Sequence, residues 1–462
     1  MLNDTIAAIS TAMAPAAIGI VRVSGPAAAP ISDLLFRPAT TGVRLETIPA
    51  RRLCRGWIIT REGQKVDDCL AAVMRAPYSY TGEDTVEFYC HGSPVVLRQV
   101  LELCMVAGAR AAQAGEFTRR AFIHGKLDLL QVEAVGDLLA ATSTKAAALA
   151  ATQLAGALST RIAAIRDEVV QFLAHVQAAL DYPEEVPEVA PELWQERLAA
   201  LASELGELAA TAQQGMRLRD GLSAVLVGRP NVGKSSLMNL LLATDRAIVA
   251  EMPGTTRDVI EESVEIGGVQ FRLSDTAGVR RQGQAVEMMG IARTKERVAD
   301  ADLLLAVFDG AASFTDDDED VRALVGGRPR IAVVNKSDLP QRLPARALAG
   351  MRVVLVSALT GQGLAELRQA MVEVAGVVGT AGPADGGASR SSVMVTRPRQ
   401  LGALRGAQES LQRALAAMRQ GVTADCLALE LEDALWHLGE LTGETAREEV
   451  INEIFSRFCV GK

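Results

Sequence analysis

The spacing of apolar positions changes several times along the chain, and each change marks a change of element. In residues 1–120, apolar and polar side chains alternate in short runs such as Ile18-Gly-Ile-Val-Arg-Val23 and Thr85-Val-Glu-Phe-Tyr89, separated by turn residues. A period of two turns one face of a strand to a core, so this segment predicts a compact α+β domain. Residues 126–180 are rich in Ala and Leu and lack proline, which predicts long helices, interrupted at Gly136 and Gly156 and ended by Asp181-Tyr-Pro183. The acidic, proline-bearing stretch 183–191 reads as a turn or linker, and a further helix is expected to about Gly215. From Leu222 the runs become continuously apolar: Ser223-Ala-Val-Leu-Val227, Leu303-Leu-Leu-Ala-Val-Phe308, Ile331-Ala-Val-Val334 and Val353-Val-Leu-Val356, alternating with helical stretches. Strands apolar on both faces belong to a buried parallel sheet, which predicts a doubly wound α/β domain. Residues 376–392, rich in Gly, Ala and Ser, read as a connector, and the chain from Arg397 onward is helical again. The expected division is a domain at 1–120, a helical domain in two parts at 121–215 and 379–462, and an α/β domain at 216–378 inserted between those parts.

Composition narrows this picture. A length of 462 residues suits about three domains of ~150 residues. With 49% hydrophobic and 22% charged residues, the chain can fold without metal or disulfide support. A net charge of −9 argues against nonspecific coating of nucleic acid, which needs clustered Lys and Arg, and leaves a local basic patch open. The cysteines (Cys54, Cys69, Cys90, Cys104, Cys426, Cys459) form no Cys-x-x-Cys pair, so a reducing compartment is expected. No basic residue precedes Arg22 and no apolar run approaches the ~18 residues of a membrane span. A cytoplasmic protein without membrane partners is the expectation.

The chemistry begins directly after the strand 223–227, at Gly228-Arg-Pro-Asn-Val-Gly-Lys-Ser235. Glycines at this spacing let backbone N–H groups curl around phosphate oxygens, Lys234 reaches the β and γ phosphates, and the Ser235 hydroxyl suits Mg²⁺. The residues expected around the phosphates are Asn231, Val232, Gly233, Lys234, Ser235 and Ser236. Asp275-Thr276-Ala277-Gly278 follows another strand, with Asp275 toward Mg²⁺ and the Gly278 N–H toward the γ phosphate. Asn335-Lys336-Ser-Asp338 follows the strand 331–334, and the Asp338 carboxylate can accept from both guanine N1–H and the 2-amino group. Adenine offers no such pair, so it would leave the charge unmatched. Ser357-Ala358 would present backbone N–H to guanine O6. Together these motifs specify GTP with Mg²⁺. Thr255 and Thr256 lie in Gly254-Thr-Thr-Arg-Asp258, and Thr256 is placed to close on Mg²⁺ and the γ phosphate. Where Ras-like GTPases carry a water-orienting Gln there is Val279, so another group must orient water or hydrolysis needs a partner.

These motifs, with the terminal Cys459-Val-Gly-Lys462, resemble the bacterial tRNA-modification GTPase family MnmE, also called TrmE. Asn3-Asp-Thr-Ile6, Gly19-Ile-Val-Arg-Val-Ser-Gly25, Tyr80-Thr-Gly-Glu-Asp84, Gly115-Glu-Phe-Thr-Arg-Arg-Ala121 and Lys126-Leu-Asp-Leu129 extend the resemblance over nearly the whole chain. The resemblance implies a multidomain α/β fold with an N-terminal α+β folate-binding-like domain that dimerises, a discontinuous helical domain and an inserted P-loop GTPase. It implies a homodimer working with the flavoprotein MnmG on tRNA, building an aminomethyl or carboxymethylaminomethyl group at C5 of the wobble uridine. The carbon comes from methylene-tetrahydrofolate; a 5-formyl- or 5,10-methylene-tetrahydrofolate is the implied ligand. Arg22, Glu87, Lys126 and Lys462 fall at the family's folate positions, with Cys459 beside them. In this family K⁺ sits where an arginine finger would otherwise act; Asn231, the backbone oxygens of Ala250 and Met252, and Thr255 match its ligands, and Glu287 matches the water-orienting acid.

Taken by themselves, Arg22, Glu87 and Lys126 read equally as surface charges, Cys459 as a small buried hydrophobe or a thiol, and Glu287 as a solvated helix carboxylate with Glu296 as an alternative. Arg397, Arg399, Arg405, Arg413 and Arg419 give the C-terminal helices a basic character that suits either tRNA phosphate or plain solvent. A ribosome-assembly GTPase and a purely regulatory GTPase share the nucleotide motifs; neither requires folate at residues 1–120.

Overall fold

The computed structural model describes residues 4–182, 184, 191–243, 262–275, 297–376 and 393–461. They form two compact units, one from Met1–Gly136 with Trp436–Lys462, the other from Asp137–Leu435.

The first unit is a seven-stranded mixed sheet. Its strands are β1 (Ile6–Ile9), β2 (Ala16–Ser24), β3 (Phe36–Pro38), β4 (Leu53–Ile59), β5 (Lys65–Met74), β6 (Thr85–Gly92) and β7 (Arg110–Ala111), in the order β3-β4-β5-β6-β2-β1-β7. The alternation read from the sequence has a direct counterpart. Val21, Val23, Ala71, Val73, Val86, Phe88 and Cys90 form one buried face with the helices Ala28–Leu35 and Pro94–Val106. Arg22 and Glu87 alternate onto the opposite face, directly across the β2–β6 pair. The C-terminal segment returns to this unit. The helix Glu448–Ser456 packs Phe455 against Leu129 and Val132, Val460 bridges Ala114, and Gly461 (φ 104°) lies against the backbone of Ile9. A side chain at position 461 would collide with the Ile9 carbonyl, so the close approach requires glycine.

The second unit contains a six-stranded sheet, β13-β12-β11-β8-β10-β9, with β8 (Leu222–Val227), β9 (Glu262–Ile266), β10 (Val269–Asp275), β11 (Leu303–Asp309), β12 (Arg330–Asn335) and β13 (Arg352–Leu355). Every pair is parallel except the β9–β10 hairpin. Ala224, Leu226, Leu303, Leu305, Ile331 and Val333 face one core; Val225, Val227, Leu304, Ala306, Ala332 and Val334 face another. Burial on both faces explains the continuous apolar runs and makes the domain doubly wound, as expected. Chain order reverses at β8, and the crevice at the carboxyl ends of such strands is where ligands bind.

Helices of the same unit adjoin this sheet. Leu149 from Thr144–Leu154 and Leu218 from Ala212–Asp220 belong to its first core. The first turn of Thr144–Leu154 grips the β9–β10 hairpin: Thr144 Oγ1 donates to Glu265 (2.6 Å) and the Lys145 N–H to the Gly268 carbonyl (3.1 Å). Helix Pro398–Arg419 lies along Pro191–Ala210.

Two breaks differ from expectation. Gly136 sits inside Leu129–Ala140 beside the Phe458 ring, and the break falls instead at Ser143, whose hydroxyl caps the next helix by accepting from the Ala146 N–H (3.3 Å). Gly215 likewise lies within a helix, pressed on the Val395 carbonyl, and the first helix ends at Ala210. Gly156 does separate two helices, with φ 85° at the start of Ala157–Asp181. Among the described residues no single helix is long and apolar enough to cross a membrane.

Candidate functional sites

The phosphate loop runs from β8 into the helix Lys234–Ala243. Its shape is fixed by backbone crowding. A Cβ on Gly228 would strike the Val307 carbonyl and one on Gly233 (φ 96°) the Asn335 amide. Asn231 occupies the left-handed region at φ 63°, a conformation asparagine tolerates better than most residues. Lys234, 6% exposed, donates to the carbonyls of Gly228 (2.8 Å) and Arg229 (2.9 Å), folding its ammonium over the loop. The Ser235 hydroxyl donates to Asp275 at 3.0 Å. Two hard oxygen ligands so close suit Mg²⁺, which takes few protein ligands beside phosphate oxygens and water. Val232 is buried and Ser236 exposed.

The residues expected on the guanine side stand at the ends of β12 and β13. Asn335 donates through Nδ2 to the Val232 carbonyl (2.8 Å) and accepts the Ala358 N–H at Oδ1 (2.9 Å), tying the loops after β12 and β13 to the phosphate loop. Asp338 is exposed and accepts the Ser357 hydroxyl at 2.6 Å. Lys336 (φ 65°) pairs with Asp309 at 2.6 Å. Strand register explains the convergence, since Asp309 lies opposite Asn335 and Asp275 opposite Leu226. Ala250, Met252, Thr255, Thr256, Thr276, Ala277, Gly278 and Glu287 lie outside the described residues.

In the first unit, Arg22 Nε and Glu87 Oε1 meet at 2.7 Å, and the other Glu87 oxygen accepts the Tyr89 hydroxyl at 2.7 Å. The Arg22 guanidinium also lies over the rings of Tyr80 (5.6 Å) and Phe117 (5.5 Å). Burial first, then the bond to the Glu87 carboxylate, pushes the Tyr89 phenol up to about 12, so it remains a donor at neutral pH. Burial also raises the Tyr80 phenol. A carboxylate has about four acceptor positions, so Glu87 keeps acceptor capacity for further donors while Arg22 and Tyr89 hold it still. Lys126 is exposed and donates to the Pro77 carbonyl at 3.0 Å. Lys462 lies outside the described residues, but Gly461 reaches Ile9, which pairs with Val21, the neighbour of Arg22. Cys459 is exposed, so it is no core hydrophobe.

The same unit holds a buried charge network at residues to which motif reading assigned no role. Arg120, 2% exposed, donates to Asp4 (2.6 Å), Glu83 (3.0 Å) and Glu116 (3.1 Å). Ser24 also donates to Glu83 (2.8 Å), and Arg110 bonds Asp4 (2.7 Å) and Glu116 (2.5 Å). Arg110 and Arg120 hydrogen bonds draw the Asp4 carboxyl below its ordinary value against a raising effect of burial. For Glu116 burial is the largest single influence and raises it, yet bonds from Arg110, the Gln113 N–H and Arg120 together bring it below its ordinary value. Asp4, Ser24, Glu83 and the Glu116–Arg120 pair come from four separate strings named above, and no spacing rule connects them.

Of the C-terminal arginines, Arg397 pairs with Asp137 (2.5 Å) and Arg413 with Glu430 (2.6 Å) and Asp433 (2.7 Å). Arg405 and Arg419 are exposed and Arg399 is half-buried. Arg397 and Arg413 are therefore met by carboxylates of the same unit.

A doubly wound sheet whose reversal point carries a glycine-cradled phosphate loop, a Ser–Asp pair and an Asn-Lys-x-Asp loop defines a P-loop GTPase. The profile described as "MnmE helical domain" matches residues 129–459, and that described as "GTP-binding protein TrmE N-terminus" matches residues 5–126. Similar proteins include "tRNA modification GTPase MnmE" of Symbiobacterium thermophilum, 44% identical with 100% of each chain covered. Those of a Synechococcus strain (42%, covering 100% of this chain and 99% of that one) and of Geobacillus kaustophilus (42%, 99% of each) carry the same name. The chain belongs to the MnmE family of tRNA-modification GTPases.

Proposed function

We propose that this GTPase acts on tRNA, working as a homodimer with the flavoprotein MnmG to build an aminomethyl or carboxymethylaminomethyl group at C5 of the wobble uridine. The observation that carries this reading is the Arg22–Glu87–Tyr89 constellation. A ribosome-assembly or purely regulatory GTPase has no use for it. A tetrahydrofolate bound there would supply the one-carbon unit. Glu87 would accept the pterin donor pair, and Arg22, Lys126 and Lys462 suit the anionic glutamate tail. Cys459, exposed next to the residue that bridges Ala114, would lie beside the same pocket.

On the nucleotide side, Asp338 reads guanine and Ala358 donates to its O6. Asn231, Val232, Gly233 and Ser236 surround the phosphates, with Lys234 carrying charge to the β and γ positions. Ser235 and Thr256, aided by Asp275, would hold Mg²⁺, which offsets phosphate charge. Asn231, Ala250, Met252 and Thr255 would hold K⁺, and Glu287 would orient water in place of the Gln that Val279 replaces. The role of MnmG follows from chemistry, because no flavin-binding fingerprint is present in this sequence to run the redox step.

The test is a nucleoside analysis of total tRNA from a strain lacking this chain. Loss of the C5 substituent on wobble uridine is expected, restored by the wild-type chain and not by Glu87→Gln. Unaltered wobble uridine in the deletion strain contradicts the reading. Hydrolysis should also be faster in K⁺ than in Na⁺ at equal ionic strength, a difference that Asn231→Ala removes.

A further inference from the structure

The turn that follows β11 is laced to the loop that carries Asn335 and Asp338, and none of its residues belongs to a nucleotide motif. Asp309 ends β11 opposite Asn335. One of its carboxylate oxygens accepts the Lys336 ammonium at 2.6 Å and the other the Ala311 N–H at 3.0 Å. The Gly310 N–H donates to the Asn335 carbonyl (2.9 Å), and the Arg342 N–H donates to the Gly310 carbonyl (2.7 Å). Gln341 passes over Gly310, where a Cβ would strike it, and its amide donates to the carbonyls of Lys336 (3.1 Å) and Leu339 (2.8 Å).

Lys336 is the pivot of this lacing. It is one of three non-glycine residues at positive φ among the described residues, and a residue with a side chain keeps that conformation only where its surroundings hold it. Asp309 holds its side chain and Gln341 its carbonyl. The residue before it, Asn335, is fixed to Val232 and Ala358, so the turn at Lys336 sets the path of the backbone to Asp338. The Ser357 hydroxyl, at 2.6 Å, is the other support of the Asp338 carboxylate. We propose that Asp309 is a positioning residue that determines base specificity: by pairing with Lys336 it stabilises the left-handed turn that aims Asp338. The proposal rests on the reading that Asp338 accepts both guanine N1–H and the 2-amino group. Those two bonds need both carboxylate oxygens in line with the base edge, whereas hypoxanthine, which lacks the 2-amino group, asks for one. A turn released from Asp309 forfeits more of the two-bond mode than of the one-bond mode, so the preference for guanine falls. General damage to the fold or to the phosphate loop weakens both nucleotides equally and leaves that preference alone.

The experiment uses the full-length chain with Asp309→Asn, Lys336→Met, the double variant and Asp338→Asn, each titrated with fluorescent GDP and IDP well below its melting temperature. The Asn side chain at 309 keeps an oxygen for the Ala311 N–H and loses the charge that holds Lys336. In Asp309→Asn the preference for GDP over IDP should fall about fivefold, the loss of roughly one hydrogen bond. In the Lys336→Met background the same change should leave the preference where it stands, because both substitutions remove one pair. A wild-type preference in folded Asp309→Asn overturns the proposal, as does a further fall in the double variant. Should Asp309→Asn not fold, Lys336→Met alone decides the matter, and a wild-type preference there overturns the proposal as well. Asp338→Asn separates the proposal from the reading beneath it. Preference lost in Asp338→Asn and kept in Asp309→Asn sinks the proposal alone, whereas preference kept in Asp338→Asn sinks the reading of Asp338 and the proposal with it.

Discussion

The phosphate loop and the Arg22–Glu87 site are built from opposite materials. The first is made largely of backbone: Gly228 and Gly233 exclude side chains, Asn335 holds a main-chain carbonyl, and the residues that count are nearly contiguous. The second is made of side-chain charge brought together by tertiary structure, with Arg22 and Glu87 65 positions apart and Asp4 and Arg120 116 positions apart. A backbone site is specified by a short string and tolerates distant change. A charge site depends on every element that delivers a partner, and fails as a network.

That contrast gives the largest expected effect. Arg120→Met leaves the Asp4, Glu83 and Glu116 carboxylates without their buried cation, and should cost the first unit about 3–5 kcal/mol of stability. Thermal unfolding with a reporter in each unit checks this, and GDP affinity should be unchanged. Lys234→Ala is the mirror experiment. It should weaken GTP binding ~100-fold, about 3 kcal/mol, through lost charge-assisted bonds, and leave folate binding intact. Equal damage to both ligands in either variant would erase the distinction.

Acid sharpens it. Asp4 and Glu116 have lowered folded-state values, so the stability they contribute is full above their unfolded values and is lost as pH falls through the lower folded ones. Unfolding of the first unit should ease as pH drops below 4.5, the ordinary value for Glu116, and Arg120→Met should flatten that dependence. Circular dichroism melts across this window test the slope. The smallest effect belongs to Tyr89→Phe, which frees one Glu87 oxygen from its restraint and should cost roughly 1 kcal/mol, some fivefold, in folate affinity by titration.

Legibility in the sequence followed the same contrast. The doubly wound sheet and the guanine-nucleotide loops were readable because strand burial and loop geometry are written locally, in apolar runs and glycine spacing. Arg22 and Glu87 could be named only through resemblance, and Tyr89, Glu83 and Arg120 were passed over, because their partners are set by the pairing of β2 with β6 and by helix Glu116–Ile123. Gly136 misled for a different reason. Glycine in a helix reads as a break from propensity alone, whereas the apolar neighbours Leu129, Val132 and Val135 carry the helix through it.

The central claim is that a folate site held by charge and a GTP site held by backbone coexist as separable functions. Calorimetric titration of 5-formyl-tetrahydrofolate and of GDP into wild type and Glu87→Gln tests it most directly. The account predicts that the wild type binds both and that Glu87→Gln loses folate while binding GDP as the wild type does. Folate binding that survives Glu87→Gln unchanged, or no folate binding by the wild type, would contradict it.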